Sequence, residues 1–416
     1  MTGAVTVRLR PKPNKAQRLS PVRGIGFGGI CGWVGSQLSP YPPPATPEAD
    51  QVPSPIPTSL RFIAVCALLA SPVACADTTG SERENRQGVV WRAGPALPQP
   101  ITNNAVAAIE SDLGVAVFSF LGLDSTKVSD GVTNAAYRWD VGSDAWITIA
   151  EVPGPGRLAS TAQVIDGLIY VIGGYTVAAD GQERSVPDVN VYDPASDSWS
   201  RGANIPLPTD DAVAGVWGDT AVVLVSGWHD DGNVPDVQIY YPGTDRWTSS
   251  TPIPGTPVFG HTGAVVGNSV IYVDGAAVVD DDPRFAIDSS SWRGDLSAEA
   301  IEWRSLGEHP GPVLYRGAGG IVGTLAVFVG GSENPYNYNG IGYDGNPSDP
   351  VRQVLAYSPV SGEWRHLAAP PLPSMDHRNL GVAGGNVFLV GGMHEGQEVT
   401  DNVWYAATEV LLASIF

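Results

Sequence analysis

One order of events recurs six times along this chain, and no other feature limits its fold as tightly. A short apolar strand ends in glycine, a variable loop follows, then a second strand, and a tryptophan closes the unit. The glycine-ended runs are VAVFSFLG (115–122), LIYVIGG (168–174), AVVLVSG (221–227), VIYVDG (270–275), LAVFVGG (325–331) and VFLVGG (387–392). The closing runs include YRWDVGSDAWITI (137–149), VNVYDPASDSWSRG (189–202), VQIYYPGTDRWTSS (237–250) and VLAYSPVSGEWRHL (354–367), with Trp303 as a fifth. In three repeats a tyrosine stands seven residues before the tryptophan: Tyr192 and Trp199, Tyr240 and Trp247, Tyr357 and Trp364. In the earliest, Tyr137 and Trp146 are nine apart. The steps DPASD, PGTD and PVSG between them are turn chemistry that joins antiparallel strands. Tryptophans at 91, 146, 199, 247, 303 and 364 set a period of 48 to 61 residues. Periods near 50 point to the blades of a propeller.

At these residues the chain resembles the kelch repeats. The glycine doublet, the Tyr-x₆-Trp spacing and the Pro-rich links ANIPLP, STPIPG and LAAPPLP carry the resemblance, which covers about residues 89–408. The doublet is varied to SG at 226–227 and DG at 274–275. The expected fold is all-β, a six-bladed kelch-type β-propeller. Its glycines let one strand approach its neighbour without a Cβ, and its tryptophans cover the gap between blades with a large apolar plate. VVWRAGPALPQP (89–100) is a tryptophan strand with no glycine-ended strand before it, and the strand Val403–Tyr405 has no seven-spaced tryptophan after it. The simplest solution pairs them. The N-terminal strand near Trp91 then completes the C-terminal blade and leaves no open sheet edge.

The rest of the chain divides around this unit. Residues 1–58 are proline-rich and lack apolar periodicity, and read as disordered or as a mis-assigned start. In SLRFIAVCALLASPVACADTTG, Arg61 precedes the apolar run Phe62–Ala70 and small residues follow. The run is too short for a bilayer, which needs about 20 apolar residues, and 59–76 has the three parts of a signal peptide. Cleavage after Ala76 is one reading. Lipidation of Cys75, in a VAC that resembles the end of a bacterial lipobox, is the other. Residues 77–88 read as a linker and 409–416 as a C-terminal tail. The expected protein is exported, to a periplasmic, cell-surface or extracellular place, and monomeric.

Charge narrows the partners. The chain carries a net −20. Residues 1–61 hold seven basic and two acidic residues, leaving 16 basic against 41 acidic in the remainder. A surface that negative repels phosphate backbones, which argues against nucleic acid. No cysteine follows Cys75, so the repeats have no internal disulfide and no thiolate metal site.

The resemblance implies a binding site around the channel, on the face shared by the post-glycine loops and the links that lead into each innermost strand. The links supply Asn103 and Asn104, Arg157, Asp210 and Asp211, His261, Arg316, and His377 with Arg378. Kelch repeats often place arginine or histidine here for blade packing, so each residue has a packing reading beside a binding one. The loop SENPYNYNGIGYDGN (332–346) holds three tyrosines, four asparagines and three glycines. Tyr336 and Tyr338 beside amides offer the flat faces and two-sided hydrogen bonds that sugars require. Covering the top of the blade is the competing reading. The candidate ligand set is Asn104, Arg157, Asp211, His261, Arg316, Tyr336, Tyr338, His377 and Arg378, for a carbohydrate or a peptide.

Chemistry is less legible. The six histidines form no His-x-His or HExxH pair, so no metal is assigned and no cofactor is expected. The acidic run VVDDDPRF (278–285) lacks the alternate-oxygen spacing of an EF-hand. No GxSxG or P-loop occurs. Galactose oxidases are kelch propellers too, but their copper–radical chemistry depends on a Cys–Tyr crosslink, and this propeller has no cysteine. The sialic-acid mutarotases are six-bladed kelch propellers with a similar Tyr/Asn/Gly-rich loop. Such an enzyme opens and recloses a sugar ring by proton transfer, for which Asp211, His261 or Glu333 are available, with Arg316 or Arg378 to grip an anion; no catalytic residue is carried over from that family. Binding without catalysis is the primary reading, with a sugar mutarotase or epimerase, or a protein-interaction scaffold, as alternatives.

Overall fold

The glycine-ended runs show no polar alternation, and the computed structural model, which describes residues 90–298 and 300–414, gives the reason. Each run is the second strand of a four-stranded antiparallel sheet, and both of its faces are covered. Blade 1 consists of Ala105–Ser111, Gly114–Leu123, Val132–Asp140 and Ile147–Thr148. Blade 2 consists of Thr161–Ile165, Leu168–Ile172, Val189–Asp193 and Ser198–Arg201. Blade 3 follows with Val213–Trp217, Ala221–Val225, Val237–Tyr241 and Arg246–Ser250. Blade 4 has Thr262–Val266, Ser269–Val273, Ser291–Asp295 and Glu302–Gly307, and blade 5 has Ala318–Val322, Leu325–Val329, Val354–Tyr357 and Trp364–His366. Blade 6 joins Gly381–Ala383, Asn386–Val390 and Val403–Ala407 to Trp91–Ala93, the first strand among the described residues. The register there is Trp91 opposite Ala406 and Ala93 opposite Trp404.

The core is divided among the blade interfaces. In blade 3, Val222 and Leu224 pack with Ile172 and Val191 of blade 2, while Val223 and Val225 pack with Val265 and Val270 of blade 4. The same division recurs around the ring, and Val387 and Leu389 of blade 6 meet Val327 and Val329 of blade 5. The Tyr–Trp pairs lie directly opposite each other on adjacent strands: Tyr192 and Trp199, Tyr240 and Trp247, Tyr357 and Trp364, with ring centroids 4.9, 4.9 and 4.7 Å apart. The tryptophans do more than fill space. Their indole N–H groups donate to carbonyls of the preceding link: Trp199 to Ala150, Trp247 to Ala203, and Trp91 to Ala368, at 2.9, 2.8 and 2.6 Å. In two blades the partner tyrosine donates to a turn aspartate, Tyr192 to Asp197 and Tyr240 to Asp245. Those aspartates also accept the backbone N–H of Ala150 and of Ala203.

The glycine doublet acts at a crossing point. The second glycine turns the chain so that the next residue pairs with the link leading into the innermost strand, as Tyr175 does with Leu158 and Trp228 with Asp210. At Gly227 φ is +123°, and a Cβ there would lie 2.5 Å from the Asp210 carbonyl oxygen. Only glycine fits. The post-glycine loops and the links are therefore bonded to one another on one face. Four of the loops carry small hairpins, among them Tyr175–Val177 with Glu183–Ser185.

The segment read as a tail from residue 409 lies largely in a short helix, Thr408–Ala413, with Leu411 buried. The signal-peptide, linker and Cys75 readings fall outside the described residues.

Candidate functional site

The six links converge on the axis and are bonded into a ring. Two residues before the innermost strand, five blades place a left-handed residue: Asn103, Ala159, Asp211, Gly260 and Arg316, with φ between 49° and 61°; Asp376, at 66°, takes that place in blade 6. Each link donates to its neighbour. Asp211 N–H donates to the Ala159 carbonyl, Gly260 to Asp211, Arg316 to Gly260, His377 to Arg316, and Asn103 to Asp376, at 2.7–3.3 Å. The ring closes where Ala159 N–H donates to the Asn103 side-chain oxygen at 2.6 Å.

Four charged side chains fill the centre of this ring. Arg316 Nη2 donates to Asp211 Oδ2 at 2.6 Å, and its Nη1 stands 3.4 Å from Asp376 Oδ1. Arg378 Nη2 reaches Asp211 Oδ1 at 2.5 Å and Asn103 Oδ1 at 3.0 Å. Asp376 also accepts from Asn103 Nδ2 and Thr102 Oγ1, at 3.0 and 2.8 Å. Two guanidinium groups are thus matched by two carboxylates in a site whose side chains are at most 5% exposed. Burial alone would raise the Asp211 pKa, but the arginines on either side hold it below the usual carboxylate range. Burial works against Arg316 as well, yet Asp211 and its other neighbours keep it charged. Asp210 is pushed well up, by burial first and then by Asp211 beside it.

The tyrosine loop lies over this ring. Tyr336 is fully buried, edge-on to Tyr315 at 5.1 Å, and the Arg316 guanidinium sits 5.2 and 5.3 Å from the two ring centres. Tyr343 stacks obliquely on Phe285 of blade 4 at 4.3 Å. Tyr338 crosses to the far side and packs, half-buried, with Leu123, Leu158 and Tyr175 of blades 1 and 2. Gln397 from blade 6 donates to the Ser348 carbonyl at 2.8 Å. The loop therefore spans the axis and is anchored on several blades. Asn337, Tyr338 and Asn339 remain half-exposed.

The expected site residues fall into two groups. Asp211, Arg316 and Arg378 meet at the axis. Arg157, Asn104, His261 and His377 turn back into their own neighbourhoods. Arg157 is fully buried and reaches Asn190 Oδ1 at 2.7 Å and Asp188 at 3.4 Å within blade 2. Asn104 donates to Ser119 Oγ at 2.8 Å. His261 Nε2 bonds the Val225 carbonyl at 3.0 Å, and His377 Nε2 bonds Ser374 Oγ at 2.7 Å. Burial depresses both histidines, to about 4 and about 3. Tyr336 offers no open ring face.

Sequence reasoning missed Glu183. It stands on the blade 2 hairpin, half-buried, and its carboxyl is raised to about 7, by burial first and then by Asp211, against the opposing pull of Arg316. It also raises the Tyr338 phenol, whose main perturbation is burial. In sequence it is one more loop acid in DGQERS, with no motif around it. Asp376 was also missed, although it precedes the singled-out His377-Arg378 pair. Among the described residues no group of three or more His, Cys, Asp or Glu side chains could hold a metal ion.

Six radial sheets, tryptophan latches and doublet crossings together define a six-bladed β-propeller, and the chain is similar to kelch-repeat proteins. The family model for the Kelch motif matches residues 156–206. The chain is similar to N-acetylneuraminate epimerase 1 of Escherichia coli O6:H1, at 23% identity over 332 residues, covering 68% of this chain and 87% of that protein. It is 35% identical to N-acetylneuraminate epimerase of Yersinia enterocolitica over 78 residues, 17% of this chain and 20% of that one. It is also 30% identical to human kelch repeat and BTB domain-containing protein 12 over 138 residues, 32% of this chain and 21% of that one. The solved structure of YjhT superposes with a TM-score of 0.60 at 19% identity, covering 74% of this chain and 95% of that one, a likeness of fold.

Proposed function

We propose that this chain is an exported protein that binds a carbohydrate on the long-loop face of the propeller, beside Tyr338 and Glu183. The observation that carries the reading is their juxtaposition. The half-exposed Tyr338 packs against the same cluster as Val177, the strand partner of Glu183, whose carboxyl burial raises to about 7, and Asn337 and Asn339 flank the tyrosine in the chain. An aromatic face takes the C–H side of a sugar ring, and amides with a carboxyl give and accept hydroxyl hydrogen bonds. Arg316 and Arg378 are charge-matched by Asp211 and Asp376. An anionic sugar would have to displace an aspartate from a guanidinium, whereas neutral hydroxyls need not.

A second reading has its own support. The similarity to an N-acetylneuraminate epimerase runs over 87% of that protein. A carboxyl held at about 7 can both give and take a proton, as opening and reclosing a sugar ring requires.

Export rests on the sequence pattern at 59–76. Among the described residues no helix is long and apolar enough to cross a membrane. Mass spectrometry of the mature N-terminus separates cleavage after Ala76 from acylation at Cys75. For the ligand, a glycan array with the purified protein, repeated with Tyr338→Ala, tests the site. No binding by the wild type removes the carbohydrate reading, and unchanged binding by the variant removes the site. Anomer exchange of N-acetylneuraminate followed by proton NMR decides the second reading.

A further inference from the structure

The innermost strands enclose a cavity of about 470 Å³ along the axis, beneath the ring of links. It is separate from the loop face. At the link end the strands begin with fully buried residues, Ala105, Thr161, Val213, Thr262 and Ala318. Toward the opposite end Val164, Val216, Ile321 and Val382 are half-exposed, so the cavity opens there, near the short turns of Asp219 and Gly323. Its size lies within the range of small-molecule sites, roughly 300–1,000 Å³.

Its wall is mostly Ala, Val, Leu, Ile and Gly, with one polar row across blades 2 and 6. Gln163 Nε2 donates to Thr161 Oγ1 at 2.9 Å, and Thr161 Oγ1 donates to Asn379 Oδ1 at 2.8 Å. This amide–hydroxyl–amide row has two open ends. Gln163 Oε1 accepts from no protein donor and Asn379 Nδ2 donates to no protein acceptor among the described residues, while Gln163 is only 8% exposed. Turning both amides over reverses the row but leaves the same balance, one open donor and one open acceptor. No lysine or arginine lines the cavity, and Asp219 stands at its rim.

We propose that the axial cavity is a second ligand site, taking a small uncharged molecule with an apolar body and a single amide-like group. The walls cover the body, and the open ends of the polar row take the carbonyl and the N–H. A carboxylate is disfavoured, because the wall offers it no cation and Asp219 repels it.

Saturation-transfer NMR on the full chain tests this with benzamide, benzoate and toluene as probes. Benzamide is expected to bind in preference to both others. Gln163→Leu with Asn379→Leu should weaken benzamide at least tenfold and leave toluene unchanged. Thr161→Val, which breaks the row at its centre, should do the same and stands in if the double variant does not fold. Tyr338→Ala, on the opposite face, should have no effect. Binding of benzamide no stronger than toluene, or unchanged by breaking the row, overturns the proposal and leaves a channel filled by water alone.

Discussion

Arg316 of blade 5 and Asp211 of blade 3 meet over the axis at 2.6 Å, skipping blade 4, which contributes Gly260 and no side chain at that level. A Cβ at Gly260 would lie 2.4 Å from the Tyr315 ring, so the glycine there makes room for that ring. Asp211→Ala leaves two guanidinium groups buried against one carboxylate. Loss of one partner of a buried pair costs about 3–5 kcal/mol, and urea denaturation should show a loss of that size. A much smaller loss would mean that water enters the ring.

The two tyrosines of the covering loop separate stability from binding. Tyr336 is wholly enclosed and Tyr338 is half-open. Tyr336→Ala should cost roughly 3–5 kcal/mol, as for other large core residues. Tyr338→Ala should be nearly neutral to stability and should abolish sugar binding. Thermal melts beside a binding titration give both readouts.

Acid should weaken the fold in two stages. His261 and His377 are held at about 4 and about 3, while an unfolded histidine titrates near 6.5. Between those values the unfolded chain binds protons that the folded chain refuses, so the histidines' contribution to stability falls as pH drops below about 6.5, against the opposite contribution of Glu183, whose raised carboxyl takes up its proton in the fold first. Asp211, depressed in the fold, adds its own loss once pH falls below about 4. His261→Gln should shrink the first stage in a stability-versus-pH series to the part that His377 contributes.

Glu183 should govern the pH dependence of binding. Its carboxyl changes charge at about 7, so affinity for the sugar should change through neutrality in the wild type. Glu183→Gln fixes the uncharged form, and its calorimetric titrations should be flat across the same window.

The ring latch is equally testable. Trp91 is 2% exposed and packs against Leu367, Ala406 and Leu411. Trp91→Ala should cost roughly 3–5 kcal/mol and raise proteolysis of blade 6 first.

The blade count was legible because Tyr, Trp and Gly mark three fixed points of each sheet. Tyr192–Trp199 is a cross-strand pair at a spacing that a four-residue turn dictates. The face shared by links and loops was legible too, since both flank the same strands. The centre of the ring was not. Which of Asn103, Ala159, Asp211, Gly260, Arg316 and Asp376 touch depends on distances across the axis, and sequence separation carries no trace of them. Arg157 and Arg316 look alike in the chain. One turns into blade 2 and the other spans the axis, because only the second occupies the left-handed position.

The pairing of Trp91–Ala93 with Val403–Ala407 sets an order of assembly. A strand that leaves the ribosome ahead of the rest of the ring is the last to find its place, since its partner is made some three hundred residues later. A chain passing through a membrane pore amino end first would emerge with that strand unsatisfied until nearly all of it had crossed, so the circle can close only after delivery is complete.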